Sequence, residues 1–493
     1  MSVSNKVETK NIVPKAKTKD TAYFLHCVVV LALMFGFKYI PPVAPITHLG
    51  MNLLGIFFGL LYAWTFVDMI WPSLLGIIAV GLSGFITVTA AFQDGFGNSV
   101  TLLILFALVF AVYLDSTGLT TTIAHWFISR RISIGRPYVF SLMIFLAGFV
   151  LGSFISIIAC TLILWIIFYK VATELGYKPG EKYVSAMLVG IAYSCMLGGS
   201  FLPWKPLPAI ILGNMNKLTG LTVSFGSFTI VGLIISILGI LAYLAVMKFI
   251  IRPDVAPLQK GEDFFAEFRD EKITYQQKIG IAALGTFILM LLLPGVLPMT
   301  TPGIKQLANI GMTGSIAIVL LILVAVRIKG KPLMDFAKMA NTNMNWQIII
   351  LLAASIPIAN GLGAKDSGIM AFVAQNFGHY IAGLSPMMLI VSVTIVASVL
   401  TQFAHNLVAA AIMTPLMCQF AIQLGINPLV IAPFLNLALS AAIATPGAST
   451  PGALVFGNRE WIPVKHAYLY NFYAFLMTLI IMVIVAIVRS MML

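Results

Sequence analysis

Apolar and polar positions alternate in long blocks rather than residue by residue. Apolar segments fall near 22–40, 50–66, 70–91 and 98–116, then at 138–169, 184–213 and 223–251. After a charged stretch, RPDVAPLQKGEDFFAEFRDEKITYQQK at 252–278, they resume at 279–297, 308–328, 347–362, 384–424, 428–457 and 466–491. A helix rises about 1.5 Å per residue, so about 20 apolar residues cross the roughly 30 Å hydrocarbon of a bilayer. The blocks therefore predict an all-α polytopic membrane protein. Two runs, 138–169 and 384–424, are long enough to enter and turn back, and two others, 184–213 and 428–457, are broken by Gly and Pro. The stretches 119–131 (LTTTIAHWFISRR) and 366–380 are amphipathic and read as helices lying in the interface, arms that hold a moving domain at fixed depth. Asp68, among Trp64, Trp71 and Pro72, marks a turn between the second and third segments.

Composition sharpens this picture. The 493 residues are 60% hydrophobic and 9% charged, where a soluble domain carries about 25% charged residues. The net charge of +13 does not point to nucleic acid, because Lys and Arg gather in short loops. They lie at 6–19, 130–136, Lys170 to Lys182, 252–278, Arg327 to Lys338, and at Arg459 and Lys465. Placed in the cytoplasm by the positive-inside bias, these clusters fix the path. Runs 138–169 and 384–424 become re-entrant hairpins, and the other apolar segments become eleven spans. The N-terminus is then cytoplasmic and the C-terminus outside, in a plasma or inner membrane. The first run lacks a cleavage pattern and stays as a transmembrane helix. Cys27, Cys160, Cys195 and Cys418 lie in apolar text without a CxxC pair and read as core residues.

The parity suggests an internal repeat. Pro137 precedes Ser156 by the same interval as Pro386 precedes His405, and the pairs are offset by 249 residues. Gly118 in DSTGL and Gly368 in KDSGI are offset by 250, and PWKPLP and PGASTP share a P-x4-P spacing at 243. The chain then divides into a cytoplasmic tail (1–20), a first transmembrane helix (21–49), repeat 1 (50–251), a cytoplasmic linker (252–278) and repeat 2 (279–493). The repeats start on opposite sides of the membrane. Transporters with inverted repeats bind substrate near the midplane, where discontinuous helices meet.

Polar residues concentrate at those places. Gln402, His405 and Asn406 fall mid-run in TQFAHNLVAAA, and Ser156 holds the matching position in FISIIACT. A turn at membrane depth frees backbone groups that protein or water must satisfy. SCMLGGSFLPWKPLPA carries Gly199 and Lys205, and ATPGASTPGALVFG carries Thr445, Ser449, Thr450 and Pro451. Neither can be a continuous helix. Unwound there, each exposes carbonyls for a cation and a helix start for an anion. Lys205, inside a broken helix, must be neutral, snorkelling or paired. It either attracts an anionic substrate or supplies covalently the charge that a bound cation brings elsewhere. His405 is a group that can couple protons, or a satisfied buried histidine. No HExxH, GxSxG or GxxxxGK[ST] pattern appears, so enzyme and nucleotide-driven readings fall away. Two inverted broken-helix units favour a carrier over a channel.

At these residues the chain resembles the divalent anion/sodium symporter family, which carries Ser-Asn-Thr at both hairpin tips and a Thr-Pro-rich loop in each broken helix. The counterparts here are Ser156-Ile157-Ile158, His405-Asn406-Leu407, GGSFLPWKPLP and TPGASTPG, within a match in order over about 22–491. The resemblance implies an elevator-type homodimer moving di- or tricarboxylates or sulfate, with no cofactor beyond Na⁺ or H⁺ as coupling ion. It puts Ser156, Asn406, Thr450 and Pro451 at the substrate, and the polar residues read above add Lys205, His405 and Ser449 as candidates beside them. It puts the tips and loops around Gly199 and Thr445 where sodium binds, and Lys205 and Gln402 are the candidates for cation ligands or their substitutes there. Ile157, Ile158, His405 and Leu407 depart from the pattern, and with Lys205 they point to sodium-independent exchange or proton coupling. The alternative cargo is an inorganic oxyanion, or protons against cations.

Overall fold

The computed structural model describes residues 20–128, 132, 135–221, 225–259, 273–298, 300–328, 330–342, 344–381, 383–403 and 406–490. The first half gives α1 (Asp20–Gly36), α2 (His48–Phe66), α3 (Ile70–Leu82), α4 (Val88–Phe96), α5 (Ser99–Ser116), α6 (Leu119–Ile128), α7 (Pro137–Phe154), α8 (Ile157–Glu174), α9 (Lys182–Gly198), α10 (Pro206–Thr219) and α11 (Phe225–Val246). A single turn, α12 (Ala256–Gln259), follows. The second half gives α13 (Tyr275–Val296), α14 (Ile304–Ala325), α15 (Phe336–Asn341), α16 (Trp346–Gly363), α17 (Ile369–Ile381), α18 (Pro386–Leu400), α19 (Asn406–Gln423), α20 (Ala432–Ser440), α21 (Thr450–Gly457) and α22 (Val464–Ser490). A two-strand ribbon, Arg327–Ile328 with Lys331–Pro332, links α14 to α15. Among the described residues, ten helices are long and apolar enough to cross a membrane.

Local chemistry sets most boundaries. Thr47, Thr87, Asn98 and Ser385 accept first-turn N–H groups as N-caps of α2, α4, α5 and α18. Thr274 and Gln277 form a reciprocal capping box on α13.

One expected span is revised. The run 70–91 is two helices, because Gly84 takes a left-handed φ of 90° and Thr87 caps a new start. At 13 residues, α3 is only about 20 Å long. In the second half, α14 is likewise interrupted, at Gly311 (φ 65°, ψ −173°).

The long runs 138–169 and 384–424 each form two helices, and α7, α8 and α19 are each long and apolar enough to cross a membrane. α7 and α8 are joined at Ile155–Ser156, and α18 and α19 across 401–405. The arms α7 and α8 have 18 residues each, about 27 Å. Each broken run is also two helices, α9 with α10 and α20 with α21. α9 and α20 are the most enclosed elements: Tyr183–Gly198 and Ala432–Ser440 are buried throughout. A helix apolar on all sides belongs inside, and these two form the centre of the molecule.

Three apolar cores pack around that centre. One joins α1–α3, α10, α16 and α18–α20, a second joins α7–α9, α11, α21 and α22, and a third joins α5, α13 and α14. The amphipathic stretches are α6 and α17. Gln277 of α13 donates to Thr122 of α6 at 2.9 Å. Thr47, which caps α2, donates to the Asp366 carbonyl just before α17 at 2.7 Å.

Candidate anion site

Four helices begin on one cavity of about 940 Å³ where the three cores meet. α8 starts after Ser156, α10 after Lys205, α19 at Asn406 and α21 after Ser449. Pro206 and Pro451 stand in first turns, where a missing N–H is no loss. A helix start leaves N–H groups without intrahelical partners and carries about half a positive charge. Four such starts around one space make a positive potential held by fixed dipoles. The facing wall comes from α5, α13 and α14, with Phe110, Asp115, Phe287 and Ile316, and from Asp335, Lys338 and Asn345 near α15 and α16.

Lys205 adds a charge to this frame. It is 9% exposed. Its Nζ donates to the carbonyl of Ile155, the C-cap of α7, at 2.7 Å. That carbonyl belongs to the negative end of a helix, a favourable place for an ammonium. Among the described residues no carboxylate lies within ion-pair distance of Lys205. An ammonium with donors to spare, in a space ringed by helix starts, calls for an anion.

The cavity brings together Ser156, Gly199, Lys205, Asn406, Ser449, Thr450 and Pro451. Ser156 is exposed to it and its hydroxyl makes no cap bond. Ser449 is buried; its Oγ accepts from Gly452 N at 3.3 Å and donates to the Ala442 carbonyl, so it builds the loop as well as lining the space. His405 lies outside the described residues. Gln402 and Thr445 do not line the cavity. Thr445 Oγ1 donates to the Gln402 carbonyl at 2.5 Å, and Gln402 is 5% exposed behind the tip. No cluster of His, Cys, Asp or Glu suited to a metal occurs among the described residues.

Sequence reasoning missed Asn436. It is 1% exposed on α20, and its Nδ2 donates at 2.5 Å to the Ser200 carbonyl, tying one broken helix to the unwound part of the other. Its signal was present: one amide in the apolar text PFLNLALS.

A sequence profile described as citrate transporter matches residues 59–433. The chain belongs to the citrate transporter family. The sodium-dependent dicarboxylate transporter SdcS of Staphylococcus saprophyticus is 24% identical over 408 residues, which cover 79% of this chain and 76% of that one. An uncharacterised transporter of Haemophilus influenzae is 23% identical over 92% of this chain and 94% of its own. The Na(+)/dicarboxylate cotransporter 3 of Rattus norvegicus is 27% identical over 128 residues, 26% of this chain and 21% of that one. Among solved structures, the YdaH transporter of Alcanivorax borkumensis superposes with a TM-score of 0.59 at 14% identity, covering 96% of this chain and 98% of that one. The family member described here is thus a multi-pass secondary transporter of the citrate and dicarboxylate group, and not an enzyme.

Proposed function

We propose that this transporter carries small organic anions of the di- or tricarboxylate class by alternating access, as a sodium-independent exchanger. The observation that carries this reading is the meeting, on a single cavity, of four helix starts and the Lys205 amine, which has no carboxylate partner among the described residues. Ser156, Asn406, Ser449, Thr450 and Pro451 would hold the carboxylates through hydroxyl, amide and main-chain N–H groups, with Lys205 as the charge partner. A buried anion needs such a shell, because an unpaired charge in low dielectric is costly. Lys205 Nζ also rests on a helix-end carbonyl, the kind of group that coordinates a cation in broken-helix carriers. This supports its standing in for one coupling ion.

The same reading covers the movement. The helix order of 50–251 recurs in 279–493, with a broken second element, an amphipathic arm, a helix pair and a broken central helix in each. We take these as the two inverted repeats. Each arm is fastened to the first helix of the opposite repeat, α6 to α13 and the 365–367 turn to α2. Fixed arms beside a cavity shared by three cores suit an elevator, in which the hairpins and broken helices slide past α5, α13 and α14. We place the N-terminus in the cytoplasm and expect a homodimer.

Counterflow in proteoliposomes tests the proposal. Labelled succinate is offered outside with unlabelled dicarboxylate inside, in sodium chloride and in choline chloride. Uptake that needs internal substrate and is equal in both salts is the expected result. Uptake that requires sodium would restore ordinary symport, and no uptake of any carboxylate would overturn the substrate class.

A further inference from the structure

Some relatives are named as sodium-dependent, and unwound helix ends are where broken-helix carriers coordinate sodium, so the residues at these places must be tested for fit. In the second repeat they do not fit. We propose that the side-chain amide of Gln402 occupies the carbonyl cage of this repeat, so that no sodium ion binds there. This rests on the anion-carrier reading above and deepens it.

A cation at such a place is held by several oxygens whose lone pairs converge on one point. Here the converging oxygens belong to the end of α18 and to the unwound stretch after α20. Gln402 Nε2 lies 2.9 Å from the Ser398 carbonyl and 2.9 Å from the Ala441 carbonyl, donating to both. It fills the point between them. Its own carbonyl oxygen accepts from Ala444 N at 2.9 Å, so both ends of the amide are used. Thr401 Oγ1 donates to the Leu439 carbonyl at 3.0 Å, and Thr445 Oγ1 to the Gln402 carbonyl at 2.5 Å. An NH₂ group presents two partly positive hydrogens and satisfies two helix-end carbonyls, as a cation would. It does so covalently, with no ion to be taken up or released during the cycle. Lys205 on the Ile155 carbonyl is the matching device in the first repeat. One repeat therefore carries a covalently held amine and the other a neutral amide.

The test uses the full-length protein in detergent and needs no substrate. Thermal unfolding is followed in sodium chloride and in choline chloride at equal ionic strength for wild type, Gln402→Glu and Gln402→Ala. Wild type should melt at the same temperature in both salts. Gln402→Glu, kept ionised by working at pH 8 or above, replaces the donor by a carboxylate oxygen facing two carbonyls, an arrangement that a sodium ion bridges. Its Tm should rise by several degrees in sodium over choline. Gln402→Ala vacates the point and should show a smaller sodium-specific rise.

Wild type stabilised by sodium, with the effect lost in Gln402→Ala, would make Gln402 a ligand and overturn the proposal. So would folded variants that ignore sodium. Should neither variant fold, wild type decides alone: an equal Tm in both salts supports the proposal and a sodium-specific rise overturns it. Because these readings involve no carboxylate, failed succinate counterflow would sink the substrate assignment and leave this result untouched.

Discussion

Lys205 is the N-cap of α10, yet its side chain makes no cap bond and reaches instead to the end of α7. The position explains why a lysine is tolerated in an enclosed place: the ammonium meets the negative end of one helix beside the cavity. Burying it still opposes folding, because desolvation of a charge is only partly offset by one hydrogen bond. Binding and stability should therefore separate. Lys205→Met keeps the stem and removes the charge. KM for the anion should rise roughly 30-fold, from about 2 kcal/mol of lost pairing, while Tm stays level or rises. Counterflow kinetics beside a melting curve checks both halves, and an unchanged KM would remove Lys205 from the substrate's shell.

At the scale of elements, the helix pair α7–α8 is clamped to α9 by backbone contact. A Cβ added at Gly198 would meet the Phe149 carbonyl oxygen at 2.0 Å, and one at Gly152 would meet the Cys195 carbonyl oxygen at 2.2 Å. Close approach of this kind is how helices associate where lipid gives no hydrophobic drive between them. It also places Ile157, the first residue of α8, against Gly199. Gly198→Ala forces α7 and α9 apart, and overpacking of this kind costs about 1–3 kcal/mol. The expected outcome is a Tm lowered by several degrees, together with a raised KM because the Ser156 tip shifts. A variant with wild-type Tm would show that the two helices are not held this tightly.

The whole molecule is three cores around one cavity, and the mechanism turns on whether they move as blocks. Trp204, in the break between α9 and α10, packs edge-on against Phe287 of α13 with ring centroids 5.1 Å apart. This contact bridges the sliding and static parts of the proposed elevator. With native cysteines replaced, Trp204→Cys with Phe287→Cys, joined by a short bifunctional maleimide, should cut exchange more than tenfold, and each single substitution treated alike should not. Exchange that survives the cross-link would exclude sliding along this face.

What the sequence determined was set by local physics. Length and hydropathy decide that a segment lies in a membrane, because a bilayer demands continuous apolar helix. Gly and Pro decide where helices break, so the unwound stretches near Gly199–Lys205 and Thr445–Ser449 could be read directly. A lone Lys205 and Asn406 in apolar text marked the cavity for the same reason: polar groups at that depth need a purpose. The break at Gly84 was missed because apolar residues continue through it and only a positive φ reveals it. The tertiary structure alone decided that four helix starts, two from each half of the chain, share one space. It alone separated Gln402 and Thr445, which turn to each other's loop, from Asn406, which lines the cavity a few residues on. Sequence neighbours at a turn point in different directions, and which carbonyls a side chain reaches depends on helices packed from distant parts of the chain.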